Sequence, residues 1–211
     1  MGRSLDPKCK QCRREGTKMF LKGERCSSSK CALVKRNYVP GTHGPKLGRG
    51  SRLTGFGQQL REKQKAKRTY RLLETQFVNY FDKAKNQAGD TGDNFLKLLE
   101  MRLDNTVYRA GFVGSRNLSR QLISHGHFLV NGKKVTIPSF QVKVKDKITL
   151  KPKTLKTEAF ATLSERLKGK EFVDWLAVDA KEVTATVIDK PSLAKNQPGF
   201  DVKIITEFYS R

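Results

Sequence analysis

All four cysteines of the chain fall within its first 31 residues, at Cys9, Cys12, Cys26 and Cys31, in the spacing C-x2-C-x13-C-x4-C. Two close pairs joined by a modest loop suit tetrahedral metal binding: each pair makes a turn that aims two thiolates at one ion, and the loop lets the pairs meet. The segment around them is short and polar, so it cannot fold on a core of its own. Structural zinc supplies on the order of 10–16 kcal/mol to finger peptides of that kind. Four thiolates leave a net −2 around Zn²⁺, which Lys8, Lys10, Arg13, Arg14, Arg25 and Lys30 would offset. Neighbouring cations also favour the thiolate form. The spacing therefore predicts one structural Zn²⁺ per chain, held by Cys9, Cys12, Cys26 and Cys31, with no open position for a substrate. An iron–sulfur cluster uses the same four ligands, unligated thiols are the other alternative, and spacing alone does not separate them. Paired disulfides do not suit a cytosolic basic protein, and a redox C-x-x-C would sit near a βαβ pattern that this sequence lacks.

Charge is the second constraint. The 211 residues carry 43 Lys+Arg against 20 Asp+Glu, a formal +23. Such an excess repels itself in a compact state and calls for a polyanionic partner, with nucleic acid favoured. It is concentrated at one end: residues 1–72 hold a net +16, residues 73–150 a net +5 and residues 151–211 a net +2. A membrane is the weaker partner. No apolar run approaches the ~20 residues of a spanning helix, no basic amphipathic helix with a bulky apolar face is visible, and MGRSLDPKCK lacks an apolar signal core. MGRSLD matches the N-myristoylation pattern only in part, because its sixth residue is Asp. The expectation is a soluble, cytosolic protein.

Along the chain, "NYVPGTHGPKLGRGSRLTGFG" (37–57) reads as a Gly/Pro-rich extended linker in which Lys46, Arg49 and Arg52 can follow a phosphate chain. Thr54 is a candidate N-cap for one long helix to about Ala88, with Leu60, Leu73, Phe77, Phe81 and Ala84 on its apolar side. Arg61, Lys65 and Arg68 form one basic stripe on it, and Lys63, Lys67 and Arg71 an adjacent one, with only Glu62 to pair. A single-sign face suits a phosphate backbone. "GDTGDN" (89–94) breaks the pattern. Asp93 is then read as the cap of a helix carrying Phe95, Leu98, Leu99, Leu103, Val107 and Ala110 and ended by Gly111. Ser115 caps a shorter helix that Gly126 ends. Asn131-Gly132 is a two-residue hairpin signal, and Val142, Val144, Ile148 and Leu150 alternate as strand residues do. A short helix is expected near Leu163–Lys168. Beyond it "WLAVD", "EVTATVID" and "DVKIITEFY" read as strands of a β-hairpin tail that packs on the long helix.

Catalytic motifs are missing: no P-loop, G-x-S-x-G, H-E-x-x-H or GxGxxG occurs. His43 is a lone loop histidine. His125 and His127 flank Gly126 with no cysteine or carboxylate near in sequence, which reads as turn or surface histidines. Glu100, Arg102 and Asp104 read as helix-surface charges. The expectation is a binding protein with no small-molecule substrate, not an enzyme.

The stretch "EMRLDNTVYRAGFVGSRNLSRQLISHGHFLVNGKKV" (100–135) resembles an RNA-binding module shared by ribosomal protein S4, a pseudouridine synthase group and some tRNA synthetase tails. "RREGTKMFLKGERC", "GTHGPK", "GFGQQLREKQKAKRTYRLLETQF", "RLDNTVYRAGF" and "EFYSR", in that order, are similar to the bacterial small-subunit ribosomal protein S4 family over nearly the whole chain, and the four cysteines to its zinc-bearing members. The resemblance implies an α+β fold: a zinc-bound arm over 1–44, a mainly helical domain over 45–93 plus 160–211, and an RNA-binding module over 94–159 interrupting it. It implies a primary binder of 16S rRNA that organises a 5′-domain junction early in assembly. Lys46, Arg49 and Arg52 match basic positions along the mRNA entrance path, and neighbouring small-subunit proteins are further partners, at an interface linked to decoding accuracy.

RNA duplexes hide their bases in a deep groove, so a protein reads shape, phosphates and 2′-hydroxyls. The residues placed to do so are Arg13, Arg14 and Lys22 on the arm, the two helical stripes, Arg116 and Arg120 on the helix pair, and Lys133 and Lys134 at the hairpin. Two other classes compete. An RNA-modifying enzyme with the same module needs a catalytic domain for which residues 151–211 leave too little chain. A zinc-containing DNA regulator would put His or a recognition helix where "CSSSKC" stands.

Overall fold

The computed structural model describes residues 6–42, 44, 53–195 and 198–210. The chain divides into two compact units, Met1–Phe95 with Gln197–Arg211, and Leu96–Asn196.

In the first unit, helix α1 (Lys8–Glu15) ends at Gly16, whose φ of +68° takes the left-handed cap position. A 3₁₀ turn (Gly23–Cys26) and the short helix α2 (Ala32–Lys35) follow. Helix α3 (Gly55–Thr69) starts where Thr54 Oγ1 accepts from Gly57 N–H at 3.1 Å. The expected single helix to Ala88 is two helices. Tyr70 closes α3, Arg71 swings to φ +58°, and α4 (Glu74–Lys85) begins afresh. Ala66, Tyr70, Leu73, Phe77, Phe81 and Ala84 keep helical register through the break, which is why it is hidden in the pattern. The turn instead buries Leu72 and leaves Leu73 exposed.

Helix α5 (Thr91–Glu100) is capped by Asp90, whose carboxylate accepts from Asp93 N–H at 2.7 Å, so Asp93 is not the cap. The division between units falls within this helix. Its expected continuation to Ala110 is interrupted. Arg102 is extended and bridges Gln141, Leu103 N–H donates to Phe140 O, and Val142 N–H donates to Met101 O. Helix α6 (Leu103–Arg109) and helix α7 (Arg116–Ser124) follow. Ser115 Oγ accepts from Leu118 N–H, and Gly126 at φ +73° lies just past the end of α7.

An antiparallel sheet completes the second unit: β1 (Phe128–Val130), β2 (Lys133–Lys134), β3 (Lys147–Leu150), β4 (Leu176–Asp179) and β5 (Thr184–Val187), in the order β2-β1-β3-β5-β4. Asn131 and Gly132, both at positive φ, make the hairpin turn. Residues 142–146 are not strand: Val142 belongs to the bridge region at Arg102, and Lys145 turns at φ +75°. Helices α8 (Pro152–Leu155), α9 (Glu158–Ala161) and α10 (Leu163–Leu167) lie between β3 and β4. One core joins Leu103, Val107, Ile123, Phe128, Ile148, Leu163, Trp175, Ala185 and Val187. Residues 160–196 therefore belong to this unit, not to the helical one: β5 pairs with β3, and Trp175 is inside this core.

The chain then returns to the first unit as helix α11 (Val202–Tyr209), where a strand is expected. Asp201 caps it, accepting from Lys203 and Ile204 N–H. Its run of Val, Ile and Thr reads as strand by propensity. Burial follows the helical period instead, with Val202 and Ile205 inside against α3 and Tyr209 at 4.7 Å from the Phe81 ring.

Candidate nucleic-acid interface

Cys9, Cys12, Cys26 and Cys31 line one cavity of about 20 Å³, with Leu21, Lys22 and Arg25 among its other walls. That is room for about one water-sized body. None of the four is in a disulfide. Cys26 Sγ accepts from Lys22 N–H at 3.3 Å. The Cys12 thiol is pushed up by burial, against a hydrogen bond from the Met19 backbone, and the other three cysteines push it further. Thiol donors are of the type that a thiophilic ion takes. As the side chains stand, no group of three or more His, Cys, Asp or Glu among the described residues is arranged to hold a metal.

On the arm, Arg14 and Lys22 are exposed. Arg13 is half-buried: it donates to Tyr38 O at 3.0 Å and lies 4.6 Å over that ring. Lys10, Arg25 and Lys30 are exposed too, as are Lys18, Lys35 and Arg36, for which the local charge excess is the only sequence signal.

The basic stripes of α3 are less free than their spacing implies, because acids distant in sequence meet them. Glu15, its side chain 2% exposed, pairs with Arg61 at 3.3 Å and with Arg68. Burial pushes its carboxyl up despite the pull of Arg61, Arg68 and Arg14. Glu62 pairs with Lys65 at 3.2 Å. Glu74 accepts from Lys63 at 2.5 Å and Lys67 at 2.7 Å, and Tyr209 Oη donates to the same carboxylate at 3.1 Å. Lys63 is 7% exposed and lies 4.9 Å over the Phe208 ring; Arg71 is 5% exposed and donates to Gln11 at 3.3 Å. Lys63 and Arg71 therefore face inward and leave the candidate RNA-facing set. Arg61, Lys65, Lys67 and Arg68 remain partly exposed but paired.

In the second unit, Lys133 and Lys134 stand exposed at the hairpin, and Lys143, Lys145 and Lys147, not singled out from sequence, are exposed as well. Arg116 donates to Asn105 Oδ1 at 2.8 Å and stacks 4.5 Å over Tyr108, so it is preorganised and partly accessible. Arg120 is buried at 5% and pairs with Asp104 at 3.5 Å. Glu100, Arg102 and Asp104 are not surface charges. Arg102 forks onto Asp104 at 3.0 and 2.6 Å, Arg109 onto Glu100 at 3.0 and 2.9 Å, and Asn105 donates to Glu100 at 2.9 Å. This network locks α6 against α7, where Ser119 Oγ donates to Asp104 O at 2.6 Å. His127 Nδ1 meets Thr154 Oγ1 at 2.9 Å and His125 is exposed, in keeping with a turn. His43, Lys46, Arg49 and Arg52 lie outside the described residues.

A basic thiol-bearing arm, a helical unit and a helix-pair-and-sheet unit with exposed lysines at its hairpin define a protein of the nucleic-acid-binding class. Residues 3–100 match the family "Ribosomal protein S4/S9 N-terminal domain" and residues 101–148 the "S4 domain". The chain is 48% identical over 211 residues to small ribosomal subunit protein uS4 of Syntrophomonas wolfei, covering 100% of both chains. It is 47% identical over 212 residues to uS4 of Thermotoga petrophila and 46% over 211 residues to that of Nitrosospira multiformis, again over 100% of each. The chain belongs to the small ribosomal subunit protein uS4 family.

Proposed function

We propose that this chain is a structural, rRNA-binding constituent of the small ribosomal subunit, acting by position and charge rather than by catalysis. The observation that carries the reading is the similarity over the full length of both chains to proteins named small ribosomal subunit protein uS4. Among the described residues no helix is long and apolar enough to cross a membrane.

In finer terms, the protein organises a 16S rRNA 5′-domain junction early in assembly and touches neighbouring small-subunit proteins. The linker cations Lys46, Arg49 and Arg52 follow messenger RNA along its entrance path. The exposed cations of the arm and hairpin support the RNA part of this reading, since accessible Lys and Arg side chains neutralise phosphates. Zn²⁺ would be held by Cys9, Cys12, Cys26 and Cys31. Four unbridged thiols on one cavity, within a basic surround, support that reading. The ion would supply a fixed crosslink for the arm and no reaction step.

Elemental analysis and filter-binding titrations with 16S 5′-domain fragments across salt test the proposal together. The expected result is one zinc per chain and binding to the junction well above bulk RNA at fixed salt. Equal affinity for any duplex would overturn the assembly role, and metal-free protein with an ordered arm would overturn the zinc clip. Chelation is expected to open the arm to protease while leaving residues 96–196 resistant.

A further inference from the structure

Phe20 lies between two inward residues, Met19 (5% exposed) and Leu21 (3%), yet is itself 43% exposed. Its φ is +51°, in the left-handed region that a bulky side chain seldom occupies and that surrounding contacts must enforce. Those contacts are present. The Met19 backbone hydrogen-bonds the Cys12 thiol, Lys22 N–H donates to Cys26 Sγ, and Met19 and Leu21 cluster with Cys12. Relaxing φ would release an anchor or turn Met19 or Leu21 into water. The anchors on either side therefore hold one aromatic ring out in solvent.

The surroundings name the partner. Lys18 and Lys22, two residues to either side in sequence, are exposed. Between residues 7 and 36 the acids are Glu15, buried on Arg61 and Arg68, and Glu24, the one exposed acid. An apolar ring in a mainly basic segment suits a flat π face on a polyanion. Unpaired RNA bases are read in this way, splayed out onto aromatic side chains with cations on the adjoining phosphates.

We propose that Phe20 is a stacking platform for an unpaired nucleobase of the RNA bound by the arm, a position-specific contact that depends on the RNA-binding reading above. Wild type and the variants Phe20→Ala, Phe20→Leu, Phe20→Gly and Phe20→Trp are titrated with a 16S 5′-domain fragment and with an unstructured oligonucleotide, across salt. Loss of a stacking aromatic is expected to weaken binding about 5- to 100-fold. Ala, Leu and Gly should lose this equally, with the salt slope unchanged because no phosphate contact is removed, and Trp should retain it. Gly relieves the left-handed φ and should melt above Ala; equal loss of binding in these two separates stacking from folding. Ala and Leu binding within twofold of wild type would overturn the proposal and leave the ring for a protein neighbour. Leu alone restoring affinity would also overturn it, because apolar packing would then suffice. Failure of wild type to prefer the junction would instead strike at the assembly role, and the stacking comparison would still be read on the oligonucleotide.

Discussion

Lys63 and Lys134 are the same residue used for opposite ends. Lys63 is buried, held by Glu74 and laid on Phe208, whereas Lys134 is exposed at a hairpin. Lys63→Ala removes one partner of an ion pair on the inner face of α3, and about 1–3 kcal/mol of stability should be lost, read from the urea midpoint, with the RNA salt slope intact. Lys134→Ala should leave stability within about 0.5 kcal/mol and make the slope shallower by about 0.7–0.9 per phosphate lost. The opposite assignment would mean the two faces had been exchanged. Glu74 adds a pH dependence. Burial pushes its carboxyl up, but hydrogen bonds from Lys63 and Lys67 outweigh this and hold it below its ordinary 4.5. The folded state then binds that proton less tightly than the unfolded chain, so the contribution is present above pH 4.5 and is lost as pH falls through the folded value. Glu74→Gln should flatten the loss of stability below pH 4.5 seen in denaturant midpoints.

At the level of elements, the sequence spoke most clearly where one residue's chemistry settles the matter. Ser115 and Thr54 cap as read, and Asn131-Gly132 turns as read, because a side-chain acceptor or a left-handed φ is a local requirement. It was silent where distant contacts decide. The break at Arg71 keeps the apolar register intact, and the interruption at Arg102 depends on backbone partners near residue 141. In α11 the β-branched residues favour strand, and only the cap and packing on α3 reveal a helix. That cap is testable: Asp201→Ala should cost about 1 kcal/mol, with the loss appearing in the unfolding of the helical unit. The candidate interface divides in the same way. Clustered cations were legible, but Glu15 and Glu74, which neutralise much of α3, lie outside the stretch they pair with.

For the whole molecule, each unit has its own core, and the second is drawn from one continuous stretch. A fragment of residues 96–196 should fold cooperatively alone, with a single urea transition and retained sheet signal. A broad, non-cooperative transition would show that it needs the rest of the chain. The fragment should also bind RNA with a shallower salt dependence than the full chain, since residues 1–72 carry most of the excess charge.

The return of α11 to α3 has a consequence in time. The helical unit is made from segments separated by about a hundred residues, with Glu62 accepting from Asp201 N–H and Glu74 from Tyr209. During synthesis the intervening unit is complete in the emerging chain before residues 200–209 exist, so the order of folding inverts the order of the sequence. Until those residues emerge, the face of α3 and α4 that they cover stays open beside the most basic part of the chain. A nascent chain stalled before Asp201 should therefore be the form most exposed to stray RNA and to chaperones.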